Sequence, residues 1–318
     1  MKKNLLLITC LVSLGLGSCK DTPAPVQSIS FTFHNLKPNR PGETYALWAE
    51  VPPGNIAPQQ EPPLHGVLKS KLISTFTMND TGGIIGLDLA GARNRVGVDF
   101  SLIANVELSV ERADSVGPAP TAFYLFGTVT GSKNTGTTTM RADIEQVFGT
   151  AQSEVSGVAT LASSPKTPSK YTGEVYLMNA TDPTTTSPGL SPFSLPFLPA
   201  TWRYGVWTVD SISSPPVCSF LGYVIAVDSK DTKSAKDNYN YPGGKSPNDT
   251  ATTLLDLTNG KSGVLLNLEP NITTSDPLKP FPCPVLWGFI PQGQPAFTSF
   301  PLQNISGSYP TVDVIINR

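Results

Sequence analysis

The chain has 318 residues, a length that suits about two domains of ordinary size. Only 14% of its residues are charged and the formal net charge is -2, so the sequence offers no basic stripe for binding nucleic acid. Its 27 glycines and 31 prolines favour short strands joined by many turns and argue against long helices.

The first 18 residues have the pattern of a secretory leader. Lys2 and Lys3 precede an apolar stretch over residues 5–17, shorter than the roughly 20 residues that a membrane-spanning helix needs. The segment LGSC, which ends at Cys19, resembles the lipobox of bacterial lipoproteins, whose cysteine is acylated and becomes the new N-terminus. A plain signal peptide followed by an incidental cysteine is the alternative.

We therefore predict a signal peptide over residues 1–18, lipid attachment at Cys19 and a short tether over residues 19–26. Two or more acyl chains hold a folded domain durably at a membrane, since each buried CH₂ contributes roughly 0.8 kcal/mol. The expected location is the bacterial outer membrane, facing the periplasm or the cell surface, and the membrane is a predicted partner.

Cysteine use fits an exported chain. Cys10 is removed with the leader, so Cys218 and Cys283 remain in the mature protein with the lipidated Cys19. Two thiols in an oxidising compartment predict a disulfide. A metal site is less favoured because neither cysteine lies in a CxxC or HxxxH spacing, and no cofactor is predicted.

Downstream of the tether, short segments alternate between apolar and polar residues. Residues 29–33, 106–110 and 264–268 show this period of two, with turn residues between such segments. Alternation over so few residues is typical of half-buried strands. The sequence therefore predicts an all-β protein.

Three landmarks recur along the chain at a nearly constant spacing of about 160 residues, which indicates a tandem repeat. The strand TYALW ending at Trp48 recurs as RYGVW ending at Trp207, and each is followed by a hydrophobic strand that ends in glutamate. The third landmark, FGTV at residues 126–129, recurs as WGFI at residues 287–290.

The repeat predicts two tandem β-sandwich domains behind the leader, over residues 27–131 and 171–318. A Gly/Thr/Ser-rich connection over residues 132–170 joins them and could supply strands of its own. The C-terminal segment Thr311–Asn317 also alternates, and we expect it to close the second sheet system.

These landmarks are similar to those of the extracytoplasmic domain of anti-sigma-K factors. The segment LPFLPATWRYGVW, which ends at Trp207, resembles the start of the second unit in tandem versions of this domain in Bacteroidota lipoproteins of unassigned function. The resemblance implies an outward-facing β-sandwich. Its framework positions are Tyr45, Trp48, Glu111 and Gly127 in the first unit and Tyr204, Trp207, Glu269 and Gly288 in the second. Because the sequence shows neither the sigma-binding domain nor the transmembrane helix of those factors, we expect no direct binding to a sigma factor.

Catalytic motifs are absent from the sequence. There is no Gly-x-Ser-x-Gly segment, and a Ser/His/Asp arrangement would depend on one of two histidines, His34 and His65. Glu111 and Glu269 have counterparts in each other's unit, which favours turn anchors over the two halves of one active site. We predict that the protein is not an enzyme.

The favoured hypothesis is a membrane-anchored interaction or sensing module whose partner is an unknown envelope protein or glycan. Glycan binding is the sharper alternative, since aromatic side chains stack on sugars, and its predicted ligand contacts are Trp202, Tyr239 and Tyr241. An envelope hydrolase with an unrecognised site is the less favoured alternative.

Overall fold

A computed structural model describes most of the predicted mature chain. The described residues are 27–53, 68–142, 155–162, 174–176, 195, 198–212, 214–224, 257–272, 277–295, 298–305 and 309–318. The leader, Cys19, the tether, Tyr239 and Tyr241 lie outside these residues, so the predictions made for them stay predictions. Within the described ranges, no helix is long and apolar enough to cross a membrane.

Strands are the main regular structure of the described residues and helices are few and short, which confirms the all-β prediction. A short helix, α1 (Ala92–Val96), and a 3-10 turn at Phe100–Leu102 are the helical elements among the described residues. The strands are β1 (Ser28–His34), β2 (Glu43–Val51), β3 (Lys69–Met78), β4 (Ile84–Ile85), β5 (Asn105–Arg112), β6 (Ala122–Thr128), β7 (Thr130–Gly131), β8 (Thr135–Arg141), β9 (Gly157–Ala162), β10 (Glu174–Tyr176), β11 (Trp202–Asp210), β12 (Val217–Val224), β13 (Ser262–Pro270), β14 (Pro284–Phe289), β15 (Ser299–Asn304) and β16 (Thr311–Asn317).

The strands form two antiparallel sheets. The first sheet has nine strands in the order β1-β16-β8-β6-β5-β2-β3-β4, with β7 paired to β8. The second has seven strands in the order β10-β9-β15-β14-β13-β11-β12.

The centres of the two sheets correspond strand by strand. In the first sheet Tyr45 of β2 pairs with Val110 of β5, and in the second Tyr204 of β11 pairs with Leu268 of β13. The sequence landmarks therefore occupy the same pairing positions in both sheets.

The irregularities of pairing correspond as well. The pairing of β2 with β3 shifts register just before Trp48, and that of β11 with β12 shifts just before Trp207. A second shift precedes Ser109 in the pairing of β5 with β6, and its counterpart precedes Asn267 in the pairing of β13 with β14. A β-bulge inserts an extra residue and re-aims the following side chains, so matching bulges preserve matching side-chain directions.

The prediction for the C-terminal strand was wrong. β16 does not close the second sheet; it lies in the first sheet between β1 and β8, with Ile316 opposite Ile29 and Val312 opposite Met140. Its buried valines and isoleucine complete the apolar face of the first sheet. Alternation correctly identified a strand with one buried face, but it carries no information about which sheet that face completes.

The predicted connection between the units does supply strands. β8 belongs to the first sheet and β9 to the second, so the connection is divided between the two halves. In the second sheet, the antiparallel pair β10–β9 occupies the edge that the pair β1–β16 occupies in the first. The start of β1 and the end of β16 lie opposite each other, as the start of β10 and the end of β9 do in the second sheet.

The two sheets share one buried apolar cluster. Tyr45, Leu47 and Val110 of the first sheet belong to the same cluster as Tyr204 and Leu266 of the second. Each described half thus contributes one sheet to a common core, a sandwich-like arrangement that differs from a separate two-sheet core for each repeat. Because the two sheets share this core, residues where the two halves meet pack against side chains of both sheets.

Candidate functional site

A buried polar cluster lies on the side of β13 that faces away from the common core. The Glu269 Oε1 atom accepts hydrogen bonds from Trp207 Nε1 at 3.2 Å, from Asn267 Nδ2 at 2.7 Å and from the Phe281 main-chain N–H at 3.1 Å. Glu269 therefore ties β11 and β13 to the segment that leads into β14.

The first sheet contains a related cluster. The Glu111 Oε1 atom accepts from Ser109 Oγ at 2.5 Å and from the Thr121 main-chain N–H at 2.7 Å. Trp48 Nε1 donates to Ser109 Oγ at 2.8 Å, so serine relays the contact that Trp207 makes directly to Glu269. Both glutamates thus bind main-chain N–H groups of the segment before the next strand, the geometry expected of turn anchors.

The other framework positions also lie inside the fold. Burial raises the pKa of both Tyr45 and Tyr204, and the Tyr45 hydroxyl donates to the Lys37 carbonyl at 3.0 Å. A Cβ at Gly127 would come within 2.5 Å of Thr138 on β8, and one at Gly288 within 2.7 Å of Leu302 on β15. Both glycines therefore allow a close approach between neighbouring strands.

Arg40 joins the two halves of the molecule. Its Nε and Nη2 atoms donate to Glu43 Oε1 at 2.9 and 2.5 Å, and its Nη1 atom donates to Glu269 Oε2. The guanidinium also lies over the Phe281 ring, 5.5 Å from its centroid. Burial raises the pKa of Glu269, while the Arg40 charge acts in the opposite direction.

A groove of about 1290 Å³ opens beside this ion-pair cluster. One wall is the segment that leads into β2, residues 37–43, and the other is the segment 277–282 that leads into β14. Prolines contribute much of both walls, and Leu278 projects into solvent with 80% of its surface exposed. The groove is the candidate functional site because both halves build it and charged and apolar groups converge there.

Two buried polar atoms at this groove have no hydrogen-bond partner among the described residues. One is Glu43 Oε2 and the other is Asn39 Nδ2. Asn39 is held in place because its Oδ1 atom accepts from the Met78 main-chain N–H at 2.7 Å. A buried polar atom without a partner costs about 1–3 kcal/mol, so such atoms are candidates for ligand contacts.

The proposed ligand contact at Trp202 is wrong. Only 4% of the Trp202 surface is exposed, and its ring packs against Phe281 and Tyr124 with centroid distances of 5.7 and 6.3 Å. Tyr124 belongs to the first sheet, so Trp202 fills the common core between the halves. The sequence pattern missed this because the burying partners lie about 80 residues away in both directions.

The predicted disulfide is not formed, and Cys218 and Cys283 are both free thiols. Cys218 lies on β12, whereas the Cys283 carbonyl accepts from Leu268 of β13 next to β14. Strands β11 and β13 intervene, which separates the cysteines by on the order of 14 Å at the usual spacing of 4.8 Å per strand. A disulfide spans Cα atoms no more than about 7 Å apart. Burial raises the pKa of both thiols.

A carboxyl pair escaped the sequence analysis. Glu107 on β5 is buried, and its carboxyl group lies beside the Glu50 carboxyl of β2 and the Ser70 hydroxyl of β3. Burial, followed by the Glu50 charge, raises the pKa of Glu107 to about 9. The alternation of β2 and β5 places both residues on the Trp48 side of the sheet. That they lie close together across the two strands could be known only from the strand register.

An aromatic pair with one exposed and one half-buried ring was also missed. Phe289 at the end of β14 has 62% of its surface exposed and contacts the Trp287 ring edge-on, at a centroid distance of 5.1 Å. Alternation within WGFI indicates that these two residues share a face. Only the tertiary structure shows that Phe289 on this face is exposed to solvent.

Within the described part of the chain, no group of three His, Cys, Asp or Glu side chains gathers as a metal site would require. His34 lies at the surface, where its Nε2 atom contacts Asp313 Oδ2 at 2.9 Å. Searches of protein-family models, curated proteins and solved structures returned no match to this chain.

Proposed function

We propose that the protein is an outer-membrane lipoprotein whose duplicated β-structure is a non-enzymatic interaction module. Its partner is an envelope protein that binds at the groove between residues 37–43 and 277–282. The observation that carries this proposal is the unpartnered pair of polar atoms, Glu43 Oε2 and Asn39 Nδ2, at a groove built by both halves.

The repeated glutamates support a structural role over a catalytic one. Glu111 and Glu269 each accept main-chain and side-chain hydrogen bonds within their own sheet. Carboxylates held in this way stabilise a frame, and the variable segments between the strands are then available for recognition. The anti-sigma-K resemblance supports an outward-facing domain, and the LGSC segment supports the lipid anchor.

Photo-crosslinking in intact cells tests the interaction. A photo-reactive amino acid at Leu278, in the groove wall, is expected to capture a reproducible partner. The same group at Ile212, 57% exposed and outside the groove lining, is the matched control and is expected to capture none. Identical crosslinking patterns at the two positions would contradict the proposed site.

The anchor is tested by Cys19→Ala. We expect the variant to leave the membrane fraction while its circular dichroism spectrum is unchanged, because the lipid is attached outside the described fold. Ser18→Thr, which keeps the cysteine, is the matched control. Membrane fractionation of Cys19→Ala equal to that of the parent chain would refute the anchor.

Glycan binding is a second candidate, supported by the exposed Phe289 and the half-buried Trp287 that it contacts. Aromatic faces at a protein surface bind the C–H faces of sugar rings, and the pair lies on an outer strand face. A glycan array with soluble protein that begins at residue 26 tests it. Binding that Phe289→Ala leaves unchanged would count against this candidate.

A further inference from the structure

The side of the second sheet that faces away from the common core carries a partly exposed surface of uncharged side chains. Val206, Leu266 and Leu302 point into the core, so residues an odd number of positions away on the same strands point to the other side. The exposed and half-buried uncharged residues gathered there are called the outer patch, which consists of Val209, Leu265, Trp287, Phe289, Pro301 and Gln303.

The outer patch is continuous across β11, β13, β14 and β15. Trp287 of β14 pairs with Leu265 of β13 on one side and with Gln303 of β15 on the other. The next row runs from Phe289 of β14 across β13 to Val209 of β11. At the usual spacing of 4.8 Å per strand, the patch is on the order of 14 Å wide. A surface of this width holds more than one ring of a ligand.

The first sheet shows that the repeated frame does not require apolar residues at these positions. Glu50 and Val209 each lie two residues after the repeated tryptophan, and Glu107 and Leu265 each pair with that tryptophan. The second sheet thus has apolar side chains where the first has carboxyl groups. A partly exposed apolar surface that the frame does not need is typical of a binding site.

The two aromatic rings of the patch form a corner. The Trp287 indole lies over Gly263, where a Cβ would come within 2.3 Å of the ring, so one face of the indole packs on β13 and the other points away from the sheet. The Phe289 ring is nearly perpendicular to it, at an interplanar angle of 82° and a centroid distance of 5.1 Å. The indole therefore forms a floor, and the exposed Phe289 ring forms a wall beside it.

The chemistry of the patch matches a carbohydrate. The C–H face of a sugar ring packs on an aromatic face, and the corner offers such a face with a second ring at its side. The exposed Gln303 amide, next to Trp287, provides both a donor and an acceptor for sugar hydroxyl groups. None of the six patch residues is ionisable, so the patch offers no ion pair to a charged ligand.

We infer that the outer patch binds an uncharged chain of β-1,4-linked glucose-type rings, with one ring on the Trp287 indole, against Phe289 and within reach of Gln303. Such a chain is an extended ribbon with C–H groups on its faces, which fits the open side of a sheet, whereas an α-1,4-linked chain curls. The inference rests on the glycan candidate and adds the binding surface and the class of sugar. It is independent of the protein partner proposed at the groove.

The test uses two hexasaccharides of the same composition, cellohexaose with β-1,4 linkages and maltohexaose with α-1,4 linkages. In an NMR titration of the chain from residue 26, which includes every described residue, we expect at least tenfold tighter binding of cellohexaose. The Trp287 indole N–H and Phe289 amide signals are expected to shift, and the Leu278 amide signal is not. Equal affinity for the two sugars, or no binding of cellohexaose at millimolar concentration, would overturn the inference.

Phe289→Ala connects the binding to the patch. The substitution removes the exposed wall, so we expect cellohexaose affinity to fall about fivefold. Ile212→Ala removes a similarly exposed apolar side chain outside the patch and is the matched control, expected to change the affinity less than twofold. A folded Phe289→Ala variant with the affinity of the parent would contradict the assignment.

Val209→Glu tests the patch without removing an aromatic ring. It gives the second sheet the residue that the first sheet has at the same position, Glu50, so we expect an unchanged circular dichroism spectrum. Cellohexaose binding is expected to weaken at least fivefold, because the sugar would have to desolvate the new carboxylate. Unchanged affinity of the folded variant would argue against a patch that extends to β11.

The outcomes separate this inference from the other proposals. If cellohexaose does not bind but the glycan array gives a ligand whose binding requires Phe289, the β-linked class fails and the glycan candidate stands. If no glycan binds while Leu278 still crosslinks a partner in cells, the glycan proposals fail and the groove interaction stands.

Discussion

In the carboxyl pair of Glu50 and Glu107, Glu107 is the more deeply buried residue. Its side chain lies inside the β2–β5 region beside Glu50, and the pKa of Glu107 rises from 4.5 to about 9. The folded protein therefore holds a proton at neutral pH that the unfolded chain releases. Stability from this group is complete below about pH 4.5 and is lost as the pH rises towards 9.

Glu107→Gln tests this assignment. The amide is neutral at every pH, so we expect Glu107→Gln to be more stable than the parent at pH 8. In the parent, Glu107 lowers the free energy of unfolding by at most about 1.4 kcal/mol per pH unit, and the variant is expected to lack this decrease. Urea unfolding at several pH values between 5 and 9 measures the slope. Asp114→Asn, at the surface, is the control and is expected to keep it. Parallel curves for parent and Glu107→Gln would show that Glu107 is ionised in the folded state.

At the scale of elements, glycines determine how closely strands and side chains approach. Gly263 on β13 lies under the Trp287 indole of β14, and a Cβ at this position would overlap the ring. The Trp287 side chain can lie over β13 only because Gly263 has no side chain. In the same way Gly127 and Gly288 bring β6 and β14 against the strands beside them.

Gly263→Ala is expected to displace the indole and to destabilise the fold by about 1–3 kcal/mol. The displacement should alter tryptophan fluorescence as well as the unfolding midpoint. Gly117→Ala is the matched control, because a Cβ at that loop position meets only the Ala119 carbonyl, at 3.6 Å. Equal stability of the two variants would mean that the ring moves aside without cost.

At the scale of the whole molecule, the strand arrangement is cyclic. β16 and β1 form an edge pair in the first sheet, as β9 and β10 do in the second, and Asn317 lies opposite Ser28. The ends of the described chain are therefore adjacent. The first sheet therefore depends on β16, which lies between β1 and β8.

A circularly permuted chain tests the cyclic arrangement. Joining Arg318 to Gln27 with a four-residue linker and opening the chain within residues 163–173, which connect β9 to β10, is expected to keep the sheets and shift the melting temperature by only a few degrees. Deletion of residues 311–318 is the contrasting variant, expected to abolish cooperative unfolding because β1 and β8 lose their common neighbour. A deletion variant that melts like the parent would place β16 outside the cooperative core.

Part of the candidate site was accessible from sequence and part was not. The repeat landmarks identified Trp207 and Glu269, which lie at the buried end of the groove's ion-pair cluster. Arg40 was not identified, because its turn sequence resembles any Pro/Gly-rich loop and its partner is more than 200 residues away. The ligand role assigned to Trp202 failed for a related reason, since exposure depends on the packing of distant segments.

Local sequence determined the all-β class, the strand positions at the landmarks and the residues that the two halves share. Period-two alternation encodes which side chains share a face, and turn residues encode where strands end. Only the tertiary structure decided that β16 joins the first sheet, that the sheets share one core and that Arg40 bridges Glu43 and Glu269. The physical reason is that these contacts join segments far apart in the chain, and many strands with an apolar face could complete the same sheet.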